Sequence, residues 1–419
     1  MSYNSKEIKK GITLHTIKTD KFKTNLLAIF LTFPIIKDES TKNTLIALML
    51  KRGSKLYKAR EDITNKLAEM YGASLDSGIE KSGDNHILKF YLESINEEYL
   101  PKKEDLLKES VNLLFDVVFN PNIENGKFNE EFLEQEKYSL EQIINSKIDN
   151  KAMYALNRCI EEMYENKPYG IYKYGYIEDL KNIDGHNLYE QYKKIISTCK
   201  IDIFVSGNND NVDNYIMEND MIKELNEREP KYVTEGKSSN ENNEKYIEEK
   251  MDVKQGKLVI GTDIKNFGKD FRYSAQVYNA ILGGSANSKL FQNVREKASL
   301  AYTVSSNYMK LKSNIFIRAG IEIENYEKAL NIIKEQIEEM KQGEFSDEDI
   351  INAKRIITAG IKNIKEEQDI EISYYYGQEL SNVKTSIPEY LKSIEEVSKQ
   401  DIIDVANNIN INTIYFLRD

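Results

Sequence analysis

The strongest constraint on the fold is a repeated order of segments on either side of a polar tract. Between 208 and about 253 the chain reads NNDNVDN, a short helical piece MIKELNERE, and EGKSSNENNEKYIEEK, with few large apolar residues. Such composition does not build a core and marks a connection between folded parts.

Before the tract, GITLHTIKTD and NLLAIFLTFPI are rich in β-branched and aromatic residues and predict two strands. Helical patterns follow from 44 and in EDITNKLAEMYGA, then SLDSGIEKSGDNHILKFYLES predicts a hairpin turned at SGDN. LLKESVNLLFDVVFNP, a long helical stretch over about 128–166, a helix at LYEQYKKIIS and a strand KIDIFVSGN complete this half.

After the tract the order begins again. A strand KLVIGTDI, helices FRYSAQVYNAILGG and SKLFQNVREKA, two strands in LAYTVSSNYMKLKSNIFIRAGI, and two long helices lead to a terminal helix and strand in SKQDIIDVANNININTIYFLRD. Two diverged copies of one α+β unit explain this order, with domains expected at 1–225 and 251–419 and a linker at 226–250. A length of 419 residues also exceeds what one hydrophobic core usually supports.

Composition removes several function classes. A net charge of −11 disfavours a general nucleic-acid binder, which needs a basic surface to neutralise phosphates. No apolar run of signal-peptide length opens the chain and nowhere do 18 uncharged apolar residues follow one another, so a cytoplasmic location is expected. Cys159 and Cys199, about 40 residues apart, form neither a disulfide framework nor a thiolate zinc motif.

The chemistry is sparse. His15 and His86, in predicted strands, and His186, in a predicted loop, are the only histidines, and no two share a helix face, which excludes a local HxxxH or HxxEH metal site. GxxxxGK[ST], GxGxxG and GxSxG are absent, and Gly283–Gly284 reads as a helix stop. Glu134 and Glu141 lie two turns apart among interleaved lysines, the pattern of a solvated face. One junction differs in kind: in SANSKLFQNVREKASLAYTVSS, Arg295 and Tyr302 flank the passage from helix to strand and offer a guanidinium and a phenol suited to a peptide carbonyl. The competing structural reading pairs Arg295 with a neighbouring acid and packs Tyr302 on the sheet.

The same segment, LGGSANSKLFQNVREKASLAYTVSS, resembles the second-domain signature of the M16 metallopeptidases, the pitrilysin, insulin-degrading and mitochondrial-processing group. The resemblance runs over nearly the whole chain and includes the Gly-Ser of LMLKRGSK. It implies two homologous domains, each a mostly antiparallel sheet packed with helices, joined by the linker into half of a clamshell.

Active members carry HxxEH on the first-domain helix shortly before that Gly-Ser; anchoring on Gly53 and Ser54 places the motif's two histidines and glutamate at Thr44, Leu48 and Ala47. The third zinc ligand, a glutamate seven residues after another family glutamate, falls on Ile143 when Glu136 takes the earlier place. None of these side chains suits zinc: three have no donor atom and a neutral hydroxyl is a poor ligand. Arg295 and Tyr302, by contrast, match the family's substrate-contacting pair.

The resemblance therefore implies a catalytically inactive subunit of a bacterial two-component peptidase, with no cofactor in this chain and zinc held by an HxxEH-containing M16 homologue as heterodimer partner. Peptide is the implied substrate. The rival expectations are a non-enzymatic M16-like scaffold and a peptide-binding or chaperone-like homodimer.

Overall fold

The computed structural model describes residues 2–102, 104–208, 211–234, 239, 244–265 and 271–419. Leaving aside short turns, the first half runs β1 (Ser2–Lys9), β2 (Ile12–Lys18), β3 (Thr24–Pro34), α1 (Lys37–Leu50), α2 (Arg60–Glu69), β4 (Ser74–Ser82), β5 (Asn85–Ile95), α3 (Leu106–Phe119), α4 (Glu130–Asn145), α5 (Lys151–Met163), α6 (Gly185–Thr198) and β6 (Lys200–Gly207). The second runs β7 (Lys245–Lys250), β8 (Gly256–Ile264), α7 (Phe271–Leu282), β9 (Ala301–Met309), β10 (Asn314–Ile321), α8 (Tyr326–Gln342), α9 (Asp347–Asn363), α10 (Gln368–Ser381), α11 (Ile387–Glu396), α12 (Lys399–Asn407) and β11 (Ile409–Arg418).

The two large sheets have one topology. The first has the order β1-β2-β6-β3-β5-β4 and the second β7-β11-β8-β10-β9. Reading inward from β4 or from β9, three antiparallel pairings are followed by one parallel pairing, β6 with β2 and β11 with β7. This bears out the duplication; β1 is an added edge strand on the first sheet. Helix α1 thus corresponds to α7, and edge strand β4 to edge strand β9.

The chain forms two compact units, one of Met1–Asn145, Ile171–Val233 and Glu367–Gly377, the other of Ser146–Gly170, Thr234–Glu366 and Gln378–Asp419. Each includes a segment from the opposite half of the sequence, which linear domain boundaries did not foresee. In the first unit, Leu27, Ile29, Leu31 and Phe33 of β3 face the main core with α1, α3, α4 and α6. The alternate side chains meet residues 367–377: Phe30 stacks on Tyr376 at 4.1 Å and Thr32 Oγ lies 2.5 Å from its hydroxyl. In the second unit, α5 brings Leu156, Cys159, Ile160 and Met163 against Val259, Phe316 and Tyr415 of the sheet.

Four local expectations change. Helix α1 begins at Lys37 rather than 44. The stretch 128–166 is two helices, because Asn150 accepts from the Met153 N–H at 3.1 Å and caps a new one. His186 sits in the first turn of α6 rather than in a loop. Strands β1 and β7 were not read from the sequence, and β7 lies inside the expected linker. No helix among the described residues is long and apolar enough to cross a membrane.

Candidate functional site

The helix that would carry a zinc motif is packed as core. Thr44 and Ala47 are each 2% exposed, and Leu48 and Ile143, the latter from α4, pack half-buried on the first unit's core. The Thr44 hydroxyl lies 3.2 Å from the Ser40 carbonyl and 3.3 Å from that of Lys173, so backbone oxygens take its proton. Ser77 of β4 donates to the Ala47 carbonyl at 3.0 Å. These four positions do not fit a metal: they supply one engaged hydroxyl and three hydrocarbon side chains.

A loop, residues 171–176, is strapped across this helix. The Tyr176 N–H donates to Thr41 Oγ at 2.9 Å, and Thr41 Oγ–H donates to Asp179 at 2.6 Å. Gly175 adopts φ +79°, and a Cβ there would lie 2.1 Å from Thr41 Oγ and 2.5 Å from its backbone N and Cα. The Lys173 carbonyl also accepts from His86 Nε2 at 2.9 Å, while His86 Nδ1 accepts from Asn43 Nδ2 at 3.3 Å. Those contacts fix the neutral tautomer with the proton on Nε2. Burial lowers the His86 pKa from the usual 6.5 to about 3, and the nearby Lys81 and Lys173 charges add to the effect.

Glu136, Gly53 and Ser54 are likewise engaged in the fold. Buried Glu136 pairs with Arg52, whose guanidinium lies 5.9 Å from the centre of the Phe132 ring. Ser54 hydrogen-bonds Asp116 and accepts from the Tyr57 N–H at 3.1 Å, and a Cβ on Gly53 would lie 2.6 Å from the Lys58 carbonyl. His15 donates to Asp202 at 2.9 Å and accepts from the Tyr3 hydroxyl at 2.9 Å, with Lys200 Nζ 2.6 and 2.8 Å from the same carboxylate. The Lys200 ammonium already balances that carboxylate. Cys159 and Cys199 are buried free thiols, and burial raises both above the usual thiol range.

Arg295 and Tyr302 both stand out from the second unit, each by a local irregularity. The expected helix before Ala298 is a wide π turn over Phe291–Lys297. It closes through Ser299 in the left-handed region, φ +53°, and a Leu300 N–H to Val294 carbonyl bond of 3.0 Å. Arg295 stacks over Phe291 at 4.7 Å and makes a loose 3.7 Å ion pair with Glu296.

Tyr302 is the extra residue of a β-bulge, because Ala301 faces Ile321 and Thr303 faces the next residue, Gly320. The bulge breaks the in-out alternation, so Tyr302 and Thr303 are both exposed between buried Ala301 and Val304. Tyr302 is 54% exposed, and its hydroxyl donates to Glu322, a bond that raises the phenol pKa. Arg295 does have an acid for a neighbour, as the structural reading held, but Tyr302 does not pack on the sheet. Gly283 stops α7 and its carbonyl takes the Ser306 N–H at 2.9 Å, pinning the helix end to the edge of β9.

The family described as Peptidase M16 inactive domain matches residues 182–357. A Bacillus subtilis (strain 168) protein named Probable inactive metalloprotease YmfF is 36% identical over 97% of this chain and 96% of its own length. A Rickettsia felis protein named Uncharacterized zinc protease is 26% identical over 72% of each chain. Among solved structures, a conserved protein from Enterococcus faecalis V583 superimposes with a TM-score of 0.90 at 26% identity, covering 99% of this chain and 98% of that one. A peptidase M16 inactive domain from Pseudomonas fluorescens gives 0.81 at 16% identity, covering 100% and 98%.

Proposed function

The chain belongs to the peptidase M16 family as a homologue of an inactive metalloprotease, and from that premise we propose that it is the substrate-binding subunit of a heterodimeric zinc peptidase. A homologue with intact HxxEH holds the zinc and its water; this chain presents Arg295 and Tyr302 to the peptide. The observation that carries the reading is the contrast between the two copies. The zinc positions on α1 are engaged in core packing, whereas β9 spends a bulge on directing Tyr302 outward and the π turn before it exposes Arg295 stacked on Phe291.

The chemistry of the pair is positional. A guanidinium and a phenol donate hydrogen bonds to peptide carbonyls and hold the chain in register without taking part in proton transfer. Stacking on Phe291 limits the rotamers of Arg295, and the bulge fixes the direction of Tyr302, so less freedom is lost when a peptide binds.

The test is reconstitution with an HxxEH homologue. Arg295→Ala and Tyr302→Phe each lower peptide turnover on the order of 10²-fold, the usual cost of one oriented donor, with heterodimer assembly intact. Wild-type turnover in both variants would remove the assignment, and stoichiometric zinc with chelator-sensitive activity in the isolated chain would overturn the inactive-subunit reading.

A further inference from the structure

The second unit carries a groove of about 500 Å³ between α9 and α11, lined by Ile350, Ile351, Arg355, Thr358, Ala359 and Lys362 among others. Lys354, on its wall, is committed to the fold, since its Nζ donates to the Glu395 carbonyl at 2.5 Å at the end of α11. Arg355 and Lys362 make no ion pair among the described residues, and Ile351 is 47% exposed beside them. A Cβ on Gly360 would meet nothing within 4 Å, so the helix backbone is open to close approach there. Two free cations seven residues apart sit roughly 10 Å apart on one helix flank. An apolar strip between such charges asks for an opposing helix with acids at the same spacing and an apolar side chain between them.

The chain presents such a helix. On α4, Glu134 and Glu141 are seven residues apart and Tyr138 lies between them, 65% exposed. Glu134 pairs only within its own helix, with Lys137 at 2.6 Å, and Glu141 makes no ion pair among the described residues. The geometry points to a homotypic contact in which the α4 ridge of a second copy docks in the α9–α11 groove. Tyr138 fills the strip at Thr358 and Ala359, and the two glutamates meet Arg355 and Lys362. The contact is heterologous, joining different patches on the two copies, and it is independent of the Arg295–Tyr302 reading.

Sedimentation velocity of the purified full chain at micromolar concentration, at low and at high salt, tests it. Species larger than the monomer are expected, and they diminish as salt screens the exposed pairs. Arg355→Glu with Lys362→Glu, or Glu134→Lys with Glu141→Lys, weakens association on the order of tenfold or more by turning attraction into repulsion. Combining all four substitutions restores opposite charges and association. These residues are on the surface, and circular dichroism establishes that each variant folds. A monomeric wild type, reversal variants that associate like the wild type, a folded quadruple variant that stays monomeric, or association only with the HxxEH homologue each overturns the proposal.

Discussion

Acidification tests the loop strapped over α1 through His86. The ring is buried, donates from Nε2 to Lys173 and accepts at Nδ1 from Asn43, so protonation turns an acceptor into a second donor facing a donor. Its pKa falls from the usual 6.5 unfolded to about 3 folded. Between those values the unfolded chain binds a proton that the folded chain does not, so stability falls as pH falls through this window and is unaffected by this group above it. Each pH unit is worth about 1.4 kcal/mol, and moving from pH 7 to pH 4 costs the first unit roughly 3 kcal/mol through this group. Two measurements read it. Nuclear magnetic resonance of the three histidines should show one imidazole, absent from the spectrum of His86→Gln, still neutral at pH 4. Urea unfolding of the wild type and of His86→Gln, which keeps a donor for the Lys173 carbonyl, should show the variant losing less stability over the same range. An ordinary imidazole titration near pH 6.5, or parallel pH dependence of the two proteins, refutes the arrangement.

Other substitutions probe the same region. Gly175→Ala places a Cβ 2.1 Å from Thr41 Oγ and against its backbone at positive φ; strain and clash together should cost about 2–4 kcal/mol in denaturant unfolding. Ala47→Glu buries a carboxylate beside aliphatic side chains and should cost at least about 3 kcal/mol. Restoring the whole motif, with histidines at 44 and 48 and glutamates at 47 and 143, is expected to unfold the first unit rather than create a stoichiometric zinc site, as elemental analysis and circular dichroism would show.

The duplication was legible because apolar period and turn chemistry are local, and the segment order repeats around a polar tract. The exchange of 146–170 and 367–377 between units was not, because an amphipathic helix announces that it needs cover but not which sheet supplies it. Cys159 and Met163 read as an ordinary apolar stripe whichever sheet they meet. Strands β1 and β7 are polar edge strands whose pairing depends on their neighbours' backbones rather than their own side chains. The pair Arg295 and Tyr302 was visible as residue types at a junction. The devices that display them, a π turn closed by a left-handed serine and a bulge at Tyr302, have no side-chain signature distinct from a helix and a strand. The strap over α1 was hidden for a similar reason, since it is held by backbone groups, the Lys173 carbonyl and the Tyr176 N–H.

The difference in burial between the two candidate positions makes the functional proposal testable. Removing a buried side chain from α1 changes core volume and hydrogen bonding, so any loss of activity there is confounded with loss of fold. Arg295 and Tyr302 lie on the surface, and their partners Glu296 and Glu322 are also solvent-accessible. Exposed contacts of this kind contribute little to stability, so truncating either side chain should leave unfolding nearly unchanged. A large kinetic effect with an unchanged unfolding curve therefore reports contact with peptide. If the phenol served only the sheet, Tyr302→Phe would leave turnover intact, because the ring and the bulge that aims it would both remain.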